Sequence, residues 1–250
     1  MAITKINLYN GEVQIYFDDL RHRYTLEDGT DIISVTHALD IVSKPQLIPW
    51  AANMAADSIA ATLKPGVSYD ELEIKAMVET ARKAHYQKKS DAATIGVFVH
   101  DFVSKTIKGE NPPVPVNEQL REACGKFLNW VEKHNVKFLA SEQVVYSREF
   151  NFVGTLDFIC KIDNSLYIGD LKTSSGIWET YKIQPAAYRF ARTEEFSNEK
   201  YVGQLIVRIG KDGTTEIKIF EGDDNYNQLF DSFKNALDLT RAMEKVKLIK

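Results

Sequence analysis

The chain has 250 residues, a length that fits one full-sized domain or two small ones with a sizeable core. Hydrophobic residues make up 44% and charged residues 26%, a globular composition that argues against disorder. The 31 Lys and Arg residues against 35 Asp and Glu residues give a formal net charge of −4, which argues against a protein that binds nucleic acid through a broad basic surface.

The predicted elements of the first half are mostly helical. Alternating apolar residues and turn signals predict a small N-terminal hairpin over 12–17 and 21–26. The helices expected after it lie near 36–43, 48–63, 69–88 and 91–108. Three prolines between Gly109 and Pro115 predict a rigid connector, and apolar side chains at a spacing of three to four predict an amphipathic helix over 117–134.

In the second half, the spacing of the apolar residues changes and indicates strands. The strands expected there cover 138–148, 152–162, 165–173, 201–209 and 214–220, with helices over 177–193 and 224–246. This order predicts an α/β or α+β class, with a mixed sheet flanked by helices and a helical N-terminal elaboration. We expect one domain over 1–250, divided into an N-terminal part (1–116) and a core (117–250).

Cys124 and Cys160 are the only cysteines, which excludes a disulfide framework and a four-cysteine zinc or iron–sulfur site. Two reduced core thiols in a reducing compartment are expected. Residues 1–5 show no apolar run after a basic start, so no signal peptide is expected. No segment approaches the roughly 18–20 apolar residues of a membrane span. We therefore expect a soluble, cytoplasmic protein.

The most informative stretch lies in the three strands between 138 and 173. If Asp163-Asn164 forms a two-residue turn, Asp157 lies directly opposite Asp170. Opposed residues share a sheet face, as do residues two apart in one strand, so Lys172 projects to the same side as both acids.

The preceding strand adds a third acid to this face. A two-residue turn at Phe150-Asn151 places Glu142 opposite Ile159, one position along from Asp157. Other even-length turns shift the register but preserve the face. Opposed carboxylates repel, and a hard divalent cation such as Mg²⁺ or Mn²⁺ removes the conflict. With a lysine beside them, these acids are suited to metal-assisted hydrolysis of a phosphodiester.

A plainer interpretation stays open, because acid-x-Lys triplets are common. Two others occur in this chain, at Glu73-Ile74-Lys75 and Glu216-Ile217-Lys218. The first lies on a predicted helix, where residues two apart do not face each other. The second has no acid in its preceding strand. Asp170 and Lys172 alone have a partner acid in register, although both residues are also compatible with a solvated strand end.

Two further motifs flank this stretch, Gly96-Val97-Phe98-Val99-His100 before it and Gln184-Pro185-Ala186-Ala187-Tyr188 after it, while Glu142 lies on its first strand. In order and spacing, residues 96–188 resemble the PD-(D/E)xK nuclease superfamily, and within it the RecB-like exonucleases of phages and mitochondria. The resemblance implies a restriction-endonuclease-like fold and a role in DNA repair or recombination. The branch that carries an iron–sulfur cluster needs four cysteines, so no iron–sulfur cluster is expected here.

The resemblance implies a role for each matching residue. His100, Glu142, Asp157, Asp170 and the backbone carbonyl of Leu171 would bind Mg²⁺ or Mn²⁺. Lys172, acting with Glu142, Asp157 and Asp170 in catalysis, would orient the attacking water. Gln184 and Tyr188 would lean over the site, although a packed helix with Tyr188 in the core is the alternative. Pro185 disfavours helical geometry at Gln184, so the helix is expected to begin or kink there.

The expected substrate is DNA with a single-stranded or free end, cut to leave 5′-phosphates. Trp178 and Tyr181 are candidates for stacking on unpaired bases. The candidate basic contacts form two runs, Arg82, Lys83, Lys88 and Lys89, and Lys182, Arg189 and Arg192. The leading hypothesis is a metal-dependent DNA exonuclease. The alternatives are a structure-specific DNA endonuclease and a non-catalytic DNA-binding protein on a decayed nuclease fold.

Overall fold

The computed structural model describes residues 3–249, so Met1, Ala2 and Lys250, which the expectations for the N-terminus and for a domain over 1–250 include, lie outside the described residues. The strands are β1 (Ile3–Leu8), β2 (Val13–Asp18), β3 (Arg23–Leu26), β4 (Asp31–Ser34), β5 (Lys137–Ser147), β6 (Phe152–Ile162), β7 (Ser165–Lys172), β8 (Tyr201–Ile209) and β9 (Thr215–Glu221). The helices are α1 (Val35–Leu39), α2 (Leu47–Thr62), α3 (Glu71–Ile107), α4 (Glu118–Lys133), α5 (Glu179–Glu195) and α6 (Asp223–Val246). The α+β class, the mixed sheet with helices and the N-terminal hairpin are confirmed. No helix in 3–249 is long and apolar enough to cross a membrane.

All of the described strands join one mixed sheet. Strands β1 to β4 run antiparallel in chain order, and β4 then pairs in parallel with the start of β6. Strand β6 pairs antiparallel with β5 and β7, β7 pairs in parallel with β8, and β9 closes the far edge. The predicted hairpin is therefore the β2–β3 part of a four-stranded antiparallel ribbon, β1 to β4, which we call the N-terminal ribbon. The sequence analysis missed β1 and β4.

Two apolar clusters hold the ribbon and helices α1, α5 and α6 to the central strands. One packs α1, α5 and α6 against the sheet and includes Phe152, Tyr188 and Phe233. The other packs the inner face of the ribbon, including Ile15, against Tyr146 and Val153. Removing these side chains from water provides the main driving force for the packing.

The chain forms two compact units. Among the described residues, the first contains 3–42 and 99–249 and includes the whole sheet. The second, residues 43–98, contains α2 and the part of α3 that precedes Val99. The single domain expected over 1–250 stays a prediction.

Two sequence predictions about this architecture are wrong. The separate helices expected at 69–88 and 91–108 are the single helix α3, because no glycine or proline interrupts the chain near Ser90. The two-residue turn expected at Phe150-Asn151 is a loop that spans 148–151, since Ser147 pairs with Phe152. Glu194 of α5 accepts hydrogen bonds from the backbone N–H groups of Arg148 and Glu149 at 2.8 and 3.1 Å, and this tertiary contact holds the longer loop.

Candidate active site

The β6–β7 hairpin brings two acids together at the centre of the sheet. Asp163 and Asn164 form its turn, with φ values of 48° and 68°, and Ile162 pairs with Ser165 as predicted. The ladder continues to Phe158 opposite Gly169. Asp157 and Asp170 are therefore the next opposed positions, just beyond the last pair of the ladder.

The strands separate at this point, and the separation forms the site. Strand β5 occupies one edge of β6 from Phe152 to Lys161, so β4 and β7 share the other edge. Strand β4 pairs only with residues 152–153 and β7 only with 158–162, which leaves 154–157 without a ladder partner on that edge within the described chain. The Asp157 carboxylate takes up part of this gap, because its Oδ2 accepts the backbone N–H of Leu171 at 2.5 Å.

Glu142 lies closer to Asp157 than the predicted register implied. Ser141 pairs with Phe158 and Gln143 with Leu156, so Glu142 is opposite Asp157 rather than Ile159. The four-residue loop shifts the register by two positions, which preserves the face. Glu142 has a φ of 51°, a left-handed conformation that is strained for a residue other than glycine and uncommon inside a strand.

His100 of α3 completes a group of three potential metal ligands. Its Nδ1 lies 3.3 Å from Asp157 Oδ1 and 3.8 Å from Glu142 Oε1. One ligand atom from each of the three residues falls within a mutual distance of 4.8 Å. Burial by itself lowers the pKa of His100, but hydrogen bonds and charge from Asp157 and Glu142 outweigh it and raise the pKa to about 10. The positive charge of the protonated imidazole thus offsets the negative charges of Asp157 and Glu142. A divalent cation bound between these groups would offset the same charges.

Asp170 and Lys172 form a buried ion pair next to this group. Lys172 Nζ lies 2.6 Å from Asp170 Oδ2, and the Asp170 side chain is 0% exposed. Burial raises the pKa of Asp170, and nearby Asp157 raises it further against the opposing effect of Lys172. Asp170 Oδ1 is buried without a hydrogen-bond partner among the described residues. An unpaired buried carboxylate oxygen is costly, and a bound cation would satisfy it.

Helix α5 supports the lysine. Gln184 Oε1 accepts a hydrogen bond from Lys172 Nζ at 3.1 Å, and Gln184 Nε2 donates to the Tyr188 hydroxyl at 2.7 Å. Helix α5 begins at Glu179 and runs through Pro185, so of the two expected alternatives the helix start at this point is wrong, and the kink stays a prediction. Tyr188 lies in the core at 2% exposure, as in the alternative that the sequence left open. The close approach of its ring requires Gly154, where a Cβ atom would lie 2.4 Å from Tyr188 Cε1.

The remaining predicted site residues are Leu171, Tyr181 and Trp178. The side chain of Leu171 is buried, and the proposed ligand role of its carbonyl stays a prediction. The Tyr181 ring lies under Lys172 Nζ, with 5.1 Å between the nitrogen and the ring centroid. Trp178 precedes α5 and is 36% exposed, so its indole is available at the surface.

The second predicted basic run consists of residues with partners inside the protein. Arg192 binds Glu199 with two hydrogen bonds, and Arg189 packs over Tyr226 and pairs with Asp223 at 3.4 Å. The side chains of Arg189 and Arg192 are only 10% and 14% exposed, so they are unsuited to contact DNA. The sequence could not separate these buried arginines from solvated ones, because their burial depends on contacts with α6 and with the loop after α5.

Sequence reasoning also missed residues that the N-terminal ribbon brings to the site. The Tyr24 hydroxyl lies 2.9 Å from Thr155 Oγ1, two residues before Asp157 on β6. The only available signal was the alternation of β3, which indicates a strand but not the strand that it packs against.

Comparison with known proteins adds little to this geometry. The sequence matches no family model and no curated protein. Among solved structures, the crystal structure of SSO0001 matches with a TM-score of 0.35 and 13% identity, over 77% of this chain and 85% of that chain. A likeness of this size supports no conclusion about fold or function.

Proposed function

We propose that the protein is a divalent-metal-dependent DNA exonuclease. The observation that carries the proposal is the convergence of Asp157, Asp170 and Lys172 with His100 and Glu142 where β6 and β7 separate. The acid and the acid-x-Lys on adjacent strands match the resemblance to PD-(D/E)xK nucleases in order and placement. The site also holds a buried carboxylate oxygen without a partner, Asp170 Oδ1, and the imidazole of His100. Folding stability alone does not explain this arrangement, because an unpaired buried oxygen is costly.

The donor set fits Mg²⁺ or Mn²⁺. Carboxylate oxygens suit both ions, and His100, Glu142, Asp157 and the free Oδ1 of Asp170 are the groups that would hold one. When bound, such an ion supplies Lewis acidity at the phosphate and lowers the pKa of water.

The protein's own residues would position the reactants. Lys172 has its charge fixed because Asp170 and Asp157 raise its pKa against the effect of burial. Its ammonium group is held by Asp170 and Gln184, which leaves it able to donate to a phosphate oxygen or to orient the attacking water. Tyr188 holds the amide of Gln184, so the hydrogen-bonded chain from the core fixes the direction of the lysine.

The exonuclease activity, the single-stranded ends and the 5′-phosphate products rest on the resemblance, and one assay tests them. Linear single-stranded DNA, linear duplex and closed circles are incubated with Mg²⁺ or Mn²⁺, with each end blocked separately. We expect metal-dependent release of nucleotides from linear single strands and none from closed circles. Rapid cutting of a closed circle would favour an endonuclease, and metal binding without cleavage of any substrate would contradict the proposal.

A cytoplasmic location is part of the proposal. Cys124 and Cys160 are free and buried. Burial raises the pKa of Cys124 to about 11 and that of Cys160 to about 12, so both thiols stay protonated and unreactive. Free core thiols are typical of proteins in a reducing compartment.

Replacing Gln184 by methionine tests the support of the lysine. We expect Gln184→Met to lower the cleavage rate about 10- to 100-fold, the usual cost of losing a residue that orients a site group. The metal affinity should stay unchanged, because the hydrogen bonds of Gln184 go to Lys172 and Tyr188 and not to the four groups that would hold the ion. Single-turnover cleavage and Mn²⁺ titration measure the two quantities, and a loss of metal affinity equal to the loss of rate would contradict a positioning role.

Metal binding is expected to release a proton from His100. The imidazole must be neutral to bind a metal, whereas Asp157 and Glu142 raise its pKa to about 10 in the metal-free protein. Affinity for Mn²⁺ should therefore rise with pH, with about one proton released per site near neutral pH. Calorimetry in two buffers of different protonation enthalpy measures the release, and His100→Gln should abolish it. Equal heats in both buffers for the wild-type protein would contradict the assignment.

A further inference from the structure

Three aromatic rings lie together on the β2–β3 hairpin of the N-terminal ribbon. The rings of Phe17 and Tyr24 have centroids 4.5 Å apart at an angle of 32°, and His22 meets Phe17 edge-on at 5.3 Å. Phe17 and Tyr24 are half-buried, and His22 is exposed. We call these three residues the hairpin platform.

The platform is attached directly to the strand that carries Asp157. The Tyr24 hydroxyl is hydrogen-bonded to Thr155 at 2.9 Å. Because residues two apart in a strand lie on one face, Tyr24 contacts the face of β6 on which Asp157 lies. Burial raises the pKa of Tyr24 against the effect of the Thr155 hydrogen bond, and the charges of Asp19 and Glu142 add to the rise. Tyr24 is therefore within electrostatic reach of the acidic site.

The tip of the hairpin is open to a ligand. Leu20 is 76% exposed, and the side chain of Arg21 is 74% exposed, with Asp18 3.9 Å away as a weak partner. His22 has a φ of 52°, a conformation that glycine adopts without strain. The histidine therefore adds a ring at a position where glycine would fit the backbone with less strain.

We propose that the hairpin platform binds an unpaired nucleobase of the strand being cut, with Arg21 next to the adjoining phosphate. This inference rests on the proposed function and names the part of the substrate that the ribbon contacts. Aromatic rings and histidine stack on base faces without regard to sequence, and those faces are accessible only when the base is unpaired. Arginine pairs well with phosphate, and its exposed position at the tip suits a backbone that runs along the hairpin.

The test compares His22→Gly with Tyr16→Ser. Glycine at position 22 removes the ring and suits the left-handed backbone, so the fold should be kept. Tyr16 neighbours Phe17 on β2 but points to the opposite face, which makes it the matched control. Binding is measured by anisotropy of a labelled single-stranded oligonucleotide with Ca²⁺ in place of Mg²⁺. A 2-aminopurine base, moved along the strand, reports stacking through its fluorescence.

We expect His22→Gly to weaken binding about tenfold, the effect of losing roughly one base stack, and to relieve the 2-aminopurine quenching at one position only. Tyr16→Ser should bind like the wild type. Equal binding and quenching in His22→Gly and wild type would overturn the platform, as would a wild-type protein that binds no single-stranded DNA. If binding depends on His22 but the wild type cuts no DNA with Mg²⁺ or Mn²⁺, the platform is supported and the nuclease proposal fails.

Discussion

Asp170→Asn is expected to abolish metal-dependent DNA cleavage while the protein stays folded. The amide keeps the shape of the carboxyl group but loses the charge that would hold a cation and that fixes Lys172 2.6 Å away. Since a metal ion supplies several kcal/mol of charge stabilisation, the rate should fall about 1000-fold or more. Cleavage of end-labelled single-stranded DNA with Mg²⁺ and with Mn²⁺ measures the change, and circular dichroism checks the fold.

Two controls separate loss of chemistry from loss of structure. Asp170→Asn leaves the lysine without its buried partner, so the double variant Asp170→Asn/Lys172→Met should recover stability and remain inactive. Glu216→Gln/Lys218→Met changes the other strand-borne acid-x-Lys triplet, whose side chains on β9 are 39% and 47% exposed, and should keep full activity. Undiminished cleavage by folded Asp170→Asn protein would contradict the proposed site.

Phe158→Ala is expected to lower the free energy of unfolding by about 3–5 kcal/mol, the usual cost of truncating a fully buried phenylalanine. The ring is 0% exposed and meets Phe138 edge-on at a centroid distance of 5.4 Å. It also covers Gly169 on β7, next to Asp170. Urea denaturation followed by tryptophan fluorescence measures the loss, with metal absent so that binding does not contribute.

The contact with Gly169 provides a sharper test of this packing. A Cβ atom at position 169 would lie 2.0 Å from Phe158 Cε2, so Gly169→Ala should destabilise the wild type. In the Phe158→Ala background the same substitution has room, and its cost should largely disappear. Additive losses in the double variant would show that the ring and the glycine are not in contact.

The placement of the two aspartates could be predicted from the sequence because it depends on local chemistry. Asp163 and Asn164 tolerate left-handed backbone, and a two-residue turn fixes the register of both strands. Once the turn is known, the two-residue period of a strand places Asp157, Asp170 and Lys172 on one face. His100 was assigned to the site only through the resemblance. It precedes Lys137, the start of β5, by 37 residues, and that spacing places no geometric constraint on where its helix packs.

The register of Glu142 could not be predicted in the same way. The loop before β6 is held by Glu194, which follows it by more than 40 residues, and that contact selects a four-residue loop. Arg189 and Arg192 illustrate a related limit, because their partners are Asp223 of α6 and Glu199 of the loop after α5. In each case the outcome depended on how separate segments of the chain pack together.

By itself, then, the sequence determined the order of the elements from α4 to α6, the β6–β7 turn and the shared face of the acids, because these follow from local backbone preferences and the strand period. Only the tertiary structure decided that β4 and β7 share an edge of β6 and leave 154–157 open, that Asp170 is buried beside Lys172, and that Gln184 and Tyr24 reach this region. Those features depend on which strands and helices meet. Packing of the whole apolar core selects that arrangement, and no local pattern encodes it.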